Sequence, residues 1–177
     1  MPHLFFIDEW SEQLWWNTGG TRDKKIYLNP ENDQLYYFKQ SYRKGQMDYK
    51  YEFWSEIIAY EIGTKLGFNV LPYHVAKRGE VLGCISKDMK SEKEELIEGG
   101  KYLQAFDPNF KPEETSERNR YDFQLIINSL EFFEIKKYVP QIIDMIVFDA
   151  LIGNSDRHQE NWAVITRVTE ITKTLKD

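Results

Sequence analysis

The chain has 177 residues, 41% of them hydrophobic and 15% aromatic, with a formal net charge of -6 and one cysteine. That length supports one sizeable core or two small lobes, and the acidic balance excludes a broadly basic surface for nucleic acid or an anionic membrane. Cys84 has no partner for an internal disulfide and, with Val81, Leu82 and Ile85 around it, is expected as a buried thiol; without a signal-peptide pattern or a long apolar run, a cytoplasmic protein is expected.

Residues 1–16 mix Phe5, Phe6, Ile7, Trp10, Leu14, Trp15 and Trp16 with acids, a cluster suited to packing a lobe edge or a partner surface. Gly19 and Gly20, followed by Thr21, allow positive φ and close backbone approach, so successive N–H groups can face a nucleotide phosphate; a plain turn is the other reading. Alternation predicts strands over 25–28 and 35–40, joined by a turn at 29–33. Lys39 sits inside the second of these, where an ammonium either snorkels to an edge or needs a partner. Residues 49–66 read as a helix ended by Gly67, with Phe53, Ile57, Tyr60 and Thr64 along one line. Glu56 shares a strip with Glu52, Ala59 and Gly63, and Glu52, Glu56 and Glu61 are all candidate partners for Lys39.

Two more strands are predicted over 68–76 and 80–86, around Arg78 and Gly79. The charged run 90–98 reads as the start of a solvated helix broken by Gly99 and Gly100. Residues 107–120, with two prolines and many charges, read as an exposed excursion. A helical stripe returns over 121–133. Pro140 suits the first turn of another helix, whose apolar residues through Ile152 nearly circle the axis and predict burial on most sides. Gly153 ends it, a polar loop follows, and 162–165 read as a short strand.

That loop holds Asn154, Asp156, Arg157, His158 and Asn161. A carboxylate can orient and deprotonate an alcohol, and an amide oxygen five positions on can ligate a hard cation without adding negative charge beside phosphates. The DxxxxN spacing alone equally suits an Asx-rich loop capping the next element. The fuller string NxDxHxxN, between an apolar helix and an apolar strand, resembles the HipA-like serine/threonine kinases and, more distantly, the GDRHxxN loop of phosphatidylinositol 3- and 4-kinases.

The resemblance spans about residues 17–165. It implies an α+β, two-lobed protein-kinase-like fold: a small nucleotide-binding lobe over 1–88, with an antiparallel sheet and a helix, and a mainly helical large lobe over 89–177 that looks truncated. It implies ATP and Mg2+, with Asp156 as catalytic base, Asn161 as magnesium ligand, and Gly19, Gly20 and Thr21 as the phosphate loop. Lys39 would contact nucleotide phosphates with Glu56 as its support, chosen by the distance of that acid from Leu66 and Gly67. Ser86 and Lys87 would lie at the hinge that meets adenine, while Arg157 and His158 would support the loop or the phosphates. A protein substrate with serine or threonine is implied, an antitoxin or small partner protein by analogy with toxin modules, and no direct contact with nucleic acid or membrane. The chain departs from the pattern in lacking an evident second magnesium-binding aspartate after Ile165, Asp177 being a poor candidate. A longer kinase, a catalytically incomplete regulatory module and a lipid-kinase-like phosphotransferase are therefore the readings in competition.

Overall fold

Alternating apolar and polar residues make the first half of the chain a sheet. The computed structural model describes residues 2–14, 24–41, 43–44, 47–48, 51–91, 93–114 and 119–167. Its first strands are β1 (Leu4–Phe6), β2 (Ser11–Glu12), β3 (Lys24–Asn29), β4 (Gln34–Gln40), β5 (Arg43–Lys44), β6 (Met47–Asp48), β7 (His74–Arg78) and β8 (Val81–Lys87). β5 and β6 pair with each other, and the other six form one sheet in the order β1-β7-β8-β4-β3-β2. Its pairs are antiparallel except β1 with β7, which is parallel.

The sheet curls. Glu12 on β2 accepts a hydrogen bond of 2.8 Å from Arg78 on β7, although β3, β4 and β8 lie between them in the order of strands. Tyr27 joins this pair, donating to Glu12 at 3.1 Å while lying 4.6 Å beneath the guanidinium. On one face Ile7, Trp10, Tyr27, Phe38, Ala76 and Ile85 make an apolar core. Helix α1 (Phe53–Leu66) buries Phe53 and Ile57 with Cys84 in a second core, flanked by Tyr73 and Val75. Gly67 ends α1 at φ 82°, the left-handed conformation that glycine adopts without a Cβ penalty. Pairing starts only at His74, so residues 68–73 are not the strand expected; Pro72 among them has no N–H to give to a ladder.

The second half packs helices against a two-stranded ribbon. β9 (Glu94–Glu98) runs into α2 (Gly99–Phe106), followed by α3 (Phe123–Phe132), a 3-10 turn at Lys136–Tyr138, α4 (Val139–Ile152) and β10 (Ala163–Arg167). β9 pairs antiparallel with β10, placing Glu94 opposite Arg167 and Ile97 opposite Val164. The charged run is thus a strand and not a helix start, because a distant partner strand overrides its local preference. α2 lies where no helix was expected, and Gly99 and Gly100 begin it instead of breaking one.

Tyr102, Leu103, Phe110, Ile126, Leu130, Ile142, Trp162 and Val164 form the core of this half. Phe110 is fully buried, so part of the expected excursion is core; an aromatic of that size gains roughly 1.5–3 kcal/mol by burial, enough to hold the segment down. α4 differs from expectation in the opposite sense. It buries Ile142 and Asp149, while Ile143, Ile146, Val147 and Leu151 are exposed, because one stripe of the helix meets the core. The fold is α+β, and the chain divides into two compact units, Met1–Met89 and Lys90–Asp177. Among the described residues no helix is long and apolar enough to cross a membrane.

Candidate active site

Strand period 2 puts Phe38 into the sheet's inner core and turns its neighbour Lys39 to the opposite face, beneath α1. There the Lys39 ammonium forms an ion pair with the Glu56 carboxylate, at 17% and 30% side-chain exposure. Of the three acids open as partners, Glu56 is the one that reaches it, because it lies one turn before the middle of α1 on the strip that faces the sheet. Cys84 lies directly across from Lys39 on β8. Burial pushes the Cys84 thiol up to about 12; the Glu56 carboxylate adds to the shift and the Lys39 ammonium opposes it. The Tyr73 hydroxyl is likewise raised, first by burial and then by Glu56.

A thiol so protonated is a poor nucleophile. A thiol-specific alkylating agent near pH 8 should leave Cys84 unlabelled in the folded chain, roughly 10³-fold slower than after denaturation. Mass spectrometry of the two samples checks this, and equal labelling would show that the thiol is open.

Gly153 at φ 71° turns the chain out of α4 into the polar loop. Asn154 works in both directions there: its Nδ2 donates to the Asp149 carboxylate at 2.8 Å, and its Oδ1 accepts from the Asp156 N–H at 3.3 Å. Asn161 donates through Nδ2 to the Asp156 carbonyl. Its amide nitrogen is therefore committed, and Oδ1 is the atom left for a cation. Among the described residues no hydrogen bond reaches the Asp156 carboxylate, which is exposed. A free carboxylate and a free amide oxygen tied together at five residues' separation fit magnesium, which takes a few oxygen ligands from protein and others from phosphates.

Arg157 lies beneath this pair. Its Nε and Nη2 grip both oxygens of Asp149 at 2.6 and 2.8 Å, and its Nη1 donates to the Asn161 carbonyl. Burial raises the Asp149 carboxyl, but the hydrogen bonds from Arg157 and Asn154 outweigh that and hold it below the ordinary carboxylate range. The loop is also anchored from the far side. Gly100 and Gly99, the first residues of α2, donate their N–H groups at 2.8 Å to the carbonyls of Gln159 and Trp162. Trp162 in turn donates its indole N–H to Tyr121 at 3.0 Å.

The other expected site residues are placed unevenly. Gly19, Gly20 and Thr21 lie outside the described residues. Ser86 is buried on β8, and Lys87 is exposed at the end of that strand. His158 lies in the loop with Nδ1 accepting from the Glu160 N–H at 3.3 Å. Asp149 was missed. Its signal was a carboxylate within an apolar run in the last turn of a helix, where the helix dipole disfavours negative charge unless a partner offsets it.

No protein-family model matches the chain. In sequence it is 28% identical over 151 residues to the serine/threonine-protein kinase CtkA of Helicobacter pylori, a match covering 83% of this chain and 45% of the relative. In structure it superposes on the crystal structure of a Helicobacter pylori proinflammatory kinase CtkA with a TM-score of 0.75 at 21% identity, over 93% of this chain and 56% of that one. The chain spans about half the length of the curated relative it matches. In sequence, then, the chain is a relative of a serine/threonine-protein kinase and has that kinase's fold, in keeping with its resemblance to the HipA-like kinases.

Proposed function

We propose that the chain carries the nucleotide-binding and catalytic-loop elements of an ATP-dependent serine/threonine protein kinase of HipA-like type. The reading rests above all on the loop in which Asp156 and Asn161 are tied together with both functional oxygens left open. Similarity to a serine/threonine-protein kinase supports it, and so does the Lys39–Glu56 pair. On this reading Lys39, oriented by Glu56, binds phosphate oxygens of ATP. Asp156 orients the serine or threonine hydroxyl and takes its proton as the oxygen bonds to the γ-phosphorus and the bond to ADP breaks. Asn161 offers Oδ1 to magnesium, whose charge, when bound, offsets that of the phosphates. Gly19, Gly20 and Thr21 supply backbone N–H groups to the same phosphates, and Ser86 and Lys87 lie at the adenine end. The protein acts in the cytoplasm on another protein, with an antitoxin or small partner as the associate that kinship with HipA-like kinases suggests.

The test is transfer of labelled phosphate from ATP by the full-length gene product and its Lys39→Met variant. Charge-assisted hydrogen bonds of about 1.5–3 kcal/mol predict a loss of roughly 10–150-fold in kcat/KM for ATP. Unchanged kcat/KM would remove Lys39 from the phosphate contact. A parent that binds ATP but transfers nothing would make this a regulatory module instead.

A further inference from the structure

Asp149 is the described acid most at odds with its surroundings. It is 5% exposed, it stands in the last turn of α4, and no basic residue shares that turn. Both desolvation and the helix dipole oppose its charge. A fold in need of stability alone would do as well with apolar side chains in place of both Asp149 and Arg157, since exchanging a buried ion pair for hydrophobic residues is often neutral or favourable. What an apolar residue could not do is hold two different parts of the loop.

Asp149 does so. Its carboxylate takes the Asn154 amide at the loop's start and the Arg157 fork in its middle. Arg157 passes the restraint on to the Asn161 carbonyl, and the Asn161 amide closes the circuit on the Asp156 carbonyl. The three bonds described for the Arg157 guanidinium all go to this framework.

We propose that Asp149 is a positioning residue that, through Arg157, sets the spacing between the Asp156 carboxylate and the Asn161 amide oxygen. The proposal rests on the kinase reading for its consequence but not for its geometry. An asparagine at 149 would turn an amide N–H toward the guanidinium, so Asp149→Asn opens the bidentate pair with almost no change of volume. Arg157→Lys is the milder companion: it keeps the charge on the more exposed partner but cannot reach Asp149 and the Asn161 carbonyl together.

The experiment uses the full-length gene product and has two arms. In the first, kcat, KM for ATP and the affinity for Mn2+ with a non-hydrolysable ATP analogue are measured for the parent, Asp149→Asn, Arg157→Lys and the double variant. Outer-shell partners of this kind predict a fall of about 10–100-fold in kcat and in Mn2+ affinity, with KM for ATP within about threefold. The double variant should be no worse than the weaker single one, as members of one circuit are not additive. A loss carried by KM for ATP, or parental values in Asp149→Asn, overturns the proposal. The second arm reads amide hydrogen exchange over residues 154–161. It should quicken in Asp149→Asn while α3 keeps its protection, and unchanged exchange in the loop overturns the proposal even if the parent transfers no phosphate. Absence of transfer in the parent with quickened exchange would defeat the kinase reading and leave the positioning role standing.

Discussion

Asp156→Ala should lower phosphate transfer by about 10²–10⁴, the range that a positioned general base contributes, while leaving the melting temperature nearly unchanged. The second half of the expectation follows from which atoms of Asp156 the fold uses. Its N–H is held by the Asn154 side chain and its carbonyl by the Asn161 side chain. Both are backbone atoms, which alanine retains. The carboxylate carries no described hydrogen bond and is exposed, so its removal opens no cavity and orphans no buried donor. An asparagine at 161 is used differently: its side chain is itself a strut of the loop, and Asn161→Ala would mix loss of a ligand with loss of geometry. Asp156 is therefore the cleaner probe. Labelled phosphate transfer and thermal unfolding of the same preparations check it, and retention of activity would take Asp156 out of the mechanism.

What the sequence disclosed and what it hid divide along physical lines. Local patterns were legible. Alternation located β3, β4, β7 and β8, helical periodicity located α1, α3 and α4, and Gly67 and Gly153 marked two helix ends in left-handed conformation. The ion pair of Lys39 was legible only as one of two readings, the other being an ammonium that snorkels to an edge, and the family resemblance singled out Glu56 among the acids of α1 that the pair now joins. Distant pairings were not legible. Residues 94–98 carry no strand pattern of their own and become β9 because β10, far along the chain, lies beside them. The same holds for β1, whose parallel place beside β7 depends on a partner some 70 residues away. Within the loop the residues that would meet a substrate stood out by type, whereas Asp149 was hidden in an apolar helix and shows its role only through Arg157, eight positions on. Burial on one side of α4 rather than around it is again a matter of what packs where, which periodicity alone cannot supply.

Gly99→Ala should destabilise the second unit by about 3 kcal/mol, lowering its unfolding midpoint by roughly 12–24 °C. The methyl group would fall within the indole of Trp162, against Cε2 and Cζ2. The usual relief is a shift of the side chain that is struck, and here it is blocked. Trp162 is a buried member of the core, its indole N–H is held by Tyr121, and its carbonyl is held by the N–H of Gly99 itself. The backbone of α2 is equally fixed, because it begins at this residue directly after β9 is paired. Gly100→Ala provides the contrast within one residue. Its methyl would meet Pro112 and Gln159 at 3.2–3.4 Å, which asks for a shift of a few tenths of an ångström instead of the overlap met at Gly99, and a smaller loss of about 1 kcal/mol is expected. Since Trp162 follows Asn161, the strain in Gly99→Ala also displaces the loop that Gly99 and Gly100 cap, and activity should fall alongside stability. Thermal unfolding of the two variants side by side decides the matter. Equal midpoints would mean that the ring can yield, and that the contact between α2 and the loop is looser than its hydrogen bonds indicate.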